Sequence, residues 1–120
     1  MRISHLVISL AVLITCGCEP QPRRNSVSTG DPQRGAAAIS RYGCGSCHTI
    51  AKLRYAHGLV GPPLTNMNAR MYVAGVLQNN PDNMVRWIRN PQAVDEKTAM
   101  PNLGVSTQDA IDIAAYLYAY

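Results

Sequence analysis

The sequence predicts an all-α fold of short helices. Three segments support this prediction: residues 31–42, residues 80–90 and residues 106–120. Each opens with a residue that commonly caps a helix, and each then carries apolar residues at helical spacing. Proline or glycine marks the boundaries of the first two segments. At 120 residues, the chain has room for one small domain.

The helix ends can be predicted residue by residue. Asp31 is the expected N-cap of the first helix and Asn80 that of the second, and a proline follows each at the first helical position. Ser106 or Thr107 caps the third helix, whose apolar stripe comprises Ala110, Ile113, Ala114 and Leu117. Gly35 is costly inside a helix, so we expect the third helix to cross the first closely at this residue.

A C-x-x-C-H run from Cys44 to His48 carries the most specific chemistry of the chain. This is the attachment pattern of a c-type haem. The thiols of Cys44 and Cys47 can add across the two vinyl groups of one porphyrin edge, and the adjacent His48 can reach the iron. Gly45 and Ser46 are small and allow the backbone to turn tightly against the macrocycle.

The same run could be half of a zinc site or a redox dithiol. Zinc needs two further ligands at matching spacing, and the other cysteines, Cys16 and Cys18, lie in a segment that we do not expect to enter the folded domain. A thioredoxin-like dithiol would need βαβ surroundings. The aromatic content favours haem, because the chain has no Phe and one Trp, and a bound porphyrin would supply apolar core.

A rigid Gly-Pro-Pro-Leu segment follows the motif at residues 61–64. A histidine that ligates a metal usually donates its other ring N–H to a carbonyl, which fixes the orientation of the ring. We therefore predict that the Pro62 carbonyl accepts a hydrogen bond from His48. Read without the upstream motif, the segment would be an ordinary stiff turn.

Met100, followed by Pro101 in the loop between the second and third helices, is the expected sixth ligand of the iron. A thioether sulfur is soft and neutral and raises the potential. The rival methionines are Met67, Met71 and Met84, the last of which is expected in the core. His57 could in principle ligate iron, but we interpret it as a surface histidine.

Further haem contacts are assigned as candidates. Trp87 either packs on the porphyrin edge with its N–H toward a propionate or is an ordinary core residue. Residues 66–77, a short helix or an irregular loop, contribute Arg70 and Tyr72. The arginines that could pair with propionates are Arg70, Arg86 and Arg89, and at least two of them are expected on solvated faces.

The N-terminal segment predicts export. Residues 1–18 read as a signal peptide with a short apolar run, ending in a pattern like that of bacterial lipoproteins, with Cys18 as the lipidated residue. Cys16 is a weaker candidate, and simple cleavage or an uncleaved anchor are the alternatives. Polar residues 19–30 form a flexible linker, and residues 31–120 form the domain. The predicted location is the periplasmic side of a bacterial membrane, either lipid-anchored or soluble.

The charge of the chain is mildly basic, at +4 with a pI near 9.1. This suits acidic protein partners or anionic lipid. The basic residues are scattered and no recognition helix or stacking motif accompanies them, so nucleic acid is not predicted as a partner.

Taken together, the haem motif, Gly-Pro-Pro-Leu, Trp87, Met100-Pro101 and the closing helix resemble a class I cytochrome c over about residues 30–120. The resemblance implies three to five short helices around one covalently bound haem c. It implies His48 and Met100 as axial ligands. It also implies contact between the terminal helices at Gly35, Ile39, Ile113 and Tyr116.

The resemblance is nearest to small bacterial monohaem cytochromes, so the chain is predicted to be a one-electron carrier and not an enzyme. Its partners would be an oxidase, a dehydrogenase or a bc1-type complex, and the protein a monomer or a subunit of a complex. The alternative is a dedicated subunit of a membrane oxidase or periplasmic dehydrogenase; a haem peroxidase or gas sensor is a third hypothesis. With only Lys52 and Lys97, the lysine-rich face of mitochondrial cytochrome c is lacking.

Overall fold

The computed structural model describes Val27 and residues 29–120. The predicted signal peptide, with Cys16 and Cys18, and most of the predicted linker lie outside the described residues. No helix among the described residues is both long and apolar enough to cross a membrane. The regular secondary structure of the described part is mainly helical, as the sequence predicted, with short 3₁₀ turns at Cys44–Ser46, Met67–Ala69 and Pro91–Ala93.

Three α-helices form the framework: α1 (Pro32–Arg41), α2 (Pro81–Arg89) and α3 (Thr107–Ala119). The predicted caps are confirmed. Asp31 accepts hydrogen bonds from the Gln33 and Arg34 amides, Asn80 from the Asn83 amide, and Ser106 from the Asp109 amide. These side chains satisfy amides that have no partner within the first helical turn.

A small antiparallel hairpin follows the second 3₁₀ turn, with β1 (Tyr72–Val73) paired to β2 (Leu77–Gln78). Its turn contains Ala74 and Gly75, both with positive φ. The sequence analysis expected a short helix or an irregular loop over residues 66–77 and did not predict strands. Strands of two residues are too short to produce an alternating pattern in the sequence.

Helix α1 crosses α3 at Gly35, as predicted. A Cβ atom at this position would collide with the carbonyl oxygen of Asp112 and lie 2.9 Å from Cβ of Tyr116. The missing side chain of glycine therefore lets the two backbones approach, which offsets the low helix propensity of the residue. Ile39 and Ile113 are buried in the same core cluster.

A buried carboxylate, which the sequence analysis did not single out, ties the same two helices together. Asp112 is 2% exposed. It accepts hydrogen bonds from the Asp31 amide at 2.8 Å, from the Arg34 side chain at 2.8 and 3.1 Å, and from the Gln108 amide group at 3.1 Å. The Arg34 guanidinium is the main cause that holds the pKa of Asp112 below its usual value.

A cavity lined by two cysteines, a histidine and a methionine

The interior of the described domain contains a cavity of about 470 Å³ between the helices and the loops. Cys44, Cys47, His48 and Met100 are all among the residues that line it. Most of the remaining wall is aliphatic, with contributions from α1, α2, α3 and the hairpin: Ile39, Ile50, Leu64, Met67, Val73, Met84, Ile88, Ile113 and Leu117. The cavity therefore combines an apolar lining with a small set of sulfur and nitrogen donors.

A tight turn places the two cysteines. Gly43, in the left-handed region at φ +69°, ends α1 and leads into the 3₁₀ turn Cys44–Ser46. The amides of Cys47 and His48 both donate to the Cys44 carbonyl, at 3.2 and 3.0 Å. Both cysteines are half-buried, and burial raises the pKa of the Cys44 thiol. Both thiols are free and face the same cavity.

Two glycines bring this turn and the following loop into close contact: Gly45, which was predicted to allow a tight turn, and Gly58, which was not predicted. A Cβ on Gly45 would lie 2.8 Å from Cα of Ala56, and one on Gly58 would collide with the Cys47 backbone. The Gly58 amide donates to the Gly45 carbonyl at 3.0 Å. The loop over residues 56–58 thus packs directly on the cysteine turn, and this close approach requires glycine on both sides.

The ring of His48 is oriented by the loop that follows. Its Nδ1 lies 2.7 Å from the carbonyl oxygen of Pro62, the pair that the sequence analysis proposed. Because a carbonyl only accepts, Nδ1 must carry the proton, which leaves the lone pair on Nε2 available for a metal.

Gly61 packs on the same ring, a role that the sequence analysis missed. A Cβ there would collide with Cε1 of His48 and lie 2.7 Å from Nδ1. The Gly61 amide also donates to the Cys47 carbonyl at 2.8 Å. The residue therefore has to be glycine for the imidazole to keep this position.

Met100 lies in the loop between α2 and α3 and is one of the residues that line the cavity. The loop is held near this residue by two hydrogen bonds to its backbone. The Gln92 side-chain amide donates to the Met100 carbonyl at 2.7 Å, and the Met100 amide donates to the Thr98 hydroxyl at 3.2 Å. Gln92 and Thr98 were not predicted as functional residues.

The rival ligands have different surroundings. Met67 and Met84 are 3% and 2% exposed and form part of the aliphatic wall and core. Met71 is 71% exposed and does not line the cavity. His57 is exposed, and its backbone pairs with Thr49.

The remaining candidates divide into two groups. Arg70, Tyr72 and Trp87 line the cavity, with Tyr72 largely exposed and the other two half-buried. Arg86 and Arg89 are exposed on α2 and are not among the lining residues. The structure thus brings three of the five side chains to the cavity.

A buried polar pair behind the cavity wall was also missed. Asn79 donates to the carbonyls of Met67 and Arg70, at 2.6 and 2.8 Å, and accepts from the Tyr118 hydroxyl at 2.7 Å. Burial raises the pKa of Tyr118. The available signal was weak: a tyrosine near the apolar stripe of α3 needs a partner for its hydroxyl when buried.

These residues fit a covalently held haem. The volume is within the range of cofactor sites, the walls are apolar, and two thiols and a correctly oriented imidazole meet at one place. Gly61 leaves the space that this imidazole occupies, because a Cβ there would collide with the ring. Among the described residues, no group of three or more His, Cys, Asp and Glu side chains could hold a metal ion.

Comparison with known proteins agrees with this fit. Residues 32–119 match the family described as Cytochrome c. The chain belongs to this family. The predicted resemblance to a c-type cytochrome and the predicted fold are thereby confirmed, and so is the general function: the cytochrome c domain binds haem c and transfers electrons.

Two curated relatives are larger proteins. Cytochrome c oxidase subunit 2 of Alkalihalophilus pseudofirmus is 33% identical over 85 residues, which is 70% of this chain and 24% of that protein. Cytochrome c oxidase subunit 2 of Bacillus sp. strain PS3 is 30% identical over 95 residues, 77% of this chain and 27% of that protein. The cytochrome c chain therefore spans about a quarter of the length of these relatives.

Proposed function

We propose that the protein is a one-electron carrier with a single haem c, attached to Cys44 and Cys47 and ligated by His48 and Met100. The observation that carries this proposal is that all four residues line one largely apolar cavity. Bound haem c supplies the reversible one-electron couple of its iron. The chain's own residues attach the haem, orient it and keep water away from it.

His48 has two roles in this proposal. Its Nδ1–H donates to the Pro62 carbonyl, which would leave the Nε2 lone pair free to ligate the iron. The same hydrogen bond raises the basicity of the imidazole and so favours Fe(III). Gly61 leaves the space that the ring occupies, because a Cβ there would collide with Cε1 of His48.

Met100 would fill the sixth position. Its neutral, polarisable sulfur favours Fe(II), which offsets the donor strength of His48 and raises the potential. If His48 and Met100 both ligate the iron, neither a substrate nor oxygen would have an open position on it. This is the physical basis for a carrier and not an enzyme.

The propionates would meet Arg70, Tyr72 and Trp87, the three polar-tipped candidates at the cavity. Trp87 is partly buried against the core, and its indole N–H would be the group that it offers to a propionate. Arg70 uses one terminal nitrogen on the protein backbone and has further N–H groups to offer.

The location follows from the N-terminal sequence. We propose that residues 1–18 direct export, that Cys18 carries the lipid, and that residues 19–30 link this anchor to a domain over residues 31–120 on the periplasmic side. The start of the family match at residue 32 supports the domain boundary. Fractionation of the full-length protein tests the anchor: Cys18→Ser should move it from membrane to soluble fractions, whereas Cys16→Ser should not.

A second candidate function is a dedicated electron-transfer subunit of a membrane oxidase. The observation that favours it is that both relatives are named as cytochrome c oxidase subunit 2. A free carrier would instead exchange electrons with an oxidase, a dehydrogenase or a bc1-type complex through short-lived contacts. Stable co-purification with oxidase subunits under mild detergent would favour the subunit, and its absence would favour the free carrier.

The first experiment is an absorption spectrum of the exported protein, oxidised and reduced, beside Met100→Ala. We expect low-spin haem with the weak far-red band of methionine bound to Fe(III), and loss of that band in the variant. Met71→Ala is the matched control and should keep the band. A high-spin wild type that binds carbon monoxide readily would contradict the carrier and favour a peroxidase or gas sensor.

A further inference from the structure

Arg70 connects the cavity wall to the loop that carries the acceptor for His48. One terminal nitrogen of its guanidinium donates to the Pro63 carbonyl at 2.6 Å and to the Thr65 carbonyl at 3.1 Å. Pro63 directly follows Pro62, whose carbonyl lies 2.7 Å from Nδ1 of His48. A single side chain thus holds the short segment on which the orientation of the imidazole depends.

This segment has few other attachments. The Gly61 amide donates to Cys47 on one side and the Leu64 amide donates to Thr49 on the other, both at 2.8 Å. Between them lie Pro62 and Pro63, which have no amide proton to donate. The position of their carbonyls therefore depends on proline rigidity and on the hydrogen bonds that the carbonyls accept.

The backbone of Arg70 is itself fixed from the core. Asn79 donates to the Arg70 carbonyl at 2.8 Å and is held in turn by the Tyr118 hydroxyl at 2.7 Å. Both residues are buried. A continuous set of hydrogen bonds therefore runs from α3 through Asn79 and Arg70 to the loop beside His48.

The charge of Arg70 strengthens these contacts. Within the described part of the chain no carboxylate forms an ion pair with Arg70, and the sequence has no Asp or Glu between Asp31 and Asp82. The guanidinium therefore directs its charge at the loop carbonyls. Hydrogen bonds with an ionised donor are about twice as strong as neutral ones.

We propose that Arg70 is a positioning residue for His48. By holding Pro63 and Thr65, it keeps the Pro62 carbonyl at hydrogen-bond distance from Nδ1 and so maintains the orientation and donor strength of the imidazole. This inference rests on the proposed function, because it takes His48 as an iron ligand. It assigns Arg70 a role that a contact with a propionate would not provide.

The test follows the exchange of the His48 Nδ1 proton by NMR in the reduced, haem-loaded protein. Arg70→Met removes the donors and keeps the apolar stem, and we expect exchange at least tenfold faster than in wild type, with faster exchange of the Leu64 amide. Arg86→Met, an exposed arginine of α2 away from the cavity, is the control and should match wild type.

Arg70→Lys provides the conservative comparison. Lysine keeps the charge but ends one bond sooner, so it should retain part of the contact, and we expect exchange about threefold faster than in wild type. If Arg70→Met yields no haem-loaded protein, the exchange rate in Arg70→Lys is used to test the inference instead. An unchanged exchange rate of the His48 proton in Arg70→Met would overturn the inference. If only Arg70→Lys can be prepared with haem, an unchanged rate in that variant would overturn it.

The failure of the two proposals can be distinguished. A wild-type protein that lacks the low-spin spectrum contradicts the proposed ligands themselves. A wild type with the expected spectrum, together with exchange at His48 that does not respond to Arg70, contradicts only the positioning role. A change of potential alone, with exchange unaltered, would assign Arg70 to the propionates instead.

Discussion

The two loops that supply the proposed iron ligands are held in different ways. On the His48 side, the ring itself is fixed: a carbonyl lies 2.7 Å from its Nδ1 and Gly61 packs on its face. On the Met100 side, the contacts from Gln92 and Thr98 reach only the backbone. Among the described residues, no hydrogen bond reaches the Met100 sulfur.

The cavity therefore has one rigid side, at His48, and one adjustable side, at Met100. The imidazole must be fixed because its orientation and proton determine its donor strength. A thioether has no proton to place and rotates freely about its bonds, so positioning its backbone is sufficient. Substitutions on the His48 side should therefore be severe, and those on the Met100 side graded.

The largest effect is expected for Gly61→Ala. The added methyl would collide with Cε1 of His48, and neither the ring nor the loop can yield without losing the hydrogen bond to Pro62. We expect at least a tenfold lower yield of low-spin, haem-loaded protein, measured by absorption against total protein.

Gly104→Ala provides the matched control on the Met100 side. A Cβ there meets no atom within 4 Å, and the only cost is the left-handed backbone at φ +66°, about 1 kcal/mol. The low-spin spectrum should persist. An equal loss of low-spin, haem-loaded protein in Gly61→Ala and Gly104→Ala would contradict the division into a rigid and an adjustable side.

The next largest effect is expected for Asp112→Asn. This residue lies outside both the His48 side and the Met100 side of the cavity. Breaking a buried ion pair costs roughly 3–5 kcal/mol. Because Arg34 is 59% exposed and its charge is screened by solvent, we expect about 2 kcal/mol of the free energy of unfolding to be lost. Denaturant unfolding of the haem-loaded protein measures this loss. Glu96→Gln, at an exposed position, is the control. The absorption spectrum of Asp112→Asn should match that of wild type.

The same carboxylate predicts a pH dependence. Since the pKa of Asp112 is lowered in the folded state, its stabilising contribution is complete above the unfolded value of about 3.9 and is lost as pH falls through the folded value. The stabilities of wild type and Asp112→Asn should converge below about pH 4. A difference that is constant from pH 7 to pH 3 would contradict the role of the charge.

The smallest effect is expected for Gln92→Ala. Removing the donor to the Met100 carbonyl loses about 1 kcal/mol, the contribution of a typical hydrogen bond. This should loosen the loop and raise the affinity of Fe(III) for added imidazole about fivefold. Gln33→Ala, whose side chain is exposed on α1, should leave this affinity unchanged.

The sequence was sufficient for the helices and for several residues that line the cavity, because capping side chains, prolines and the C-x-x-C-H run act over a few positions. It was not sufficient where partners are distant. Asp112 and Tyr118 stand beside an apolar stripe, and nothing local indicates that they meet Arg34 and Asn79. Gly61 resembled a turn residue, since its contact with His48 exists only once the loop has folded back.

The packing of α1 on α3 has a consequence for the order of folding. A chain emerges from synthesis N-terminus first, so the cysteine turn is complete long before α3 exists. Ile113 and Leu117 of α3 form part of the cavity wall, and the backbone of Asp31 is tied to Asp112. The cavity is therefore completed last, when α3 packs against α1. Until then both thiols stay open, and a chain truncated before Thr107 should leave them reactive toward alkylating reagents.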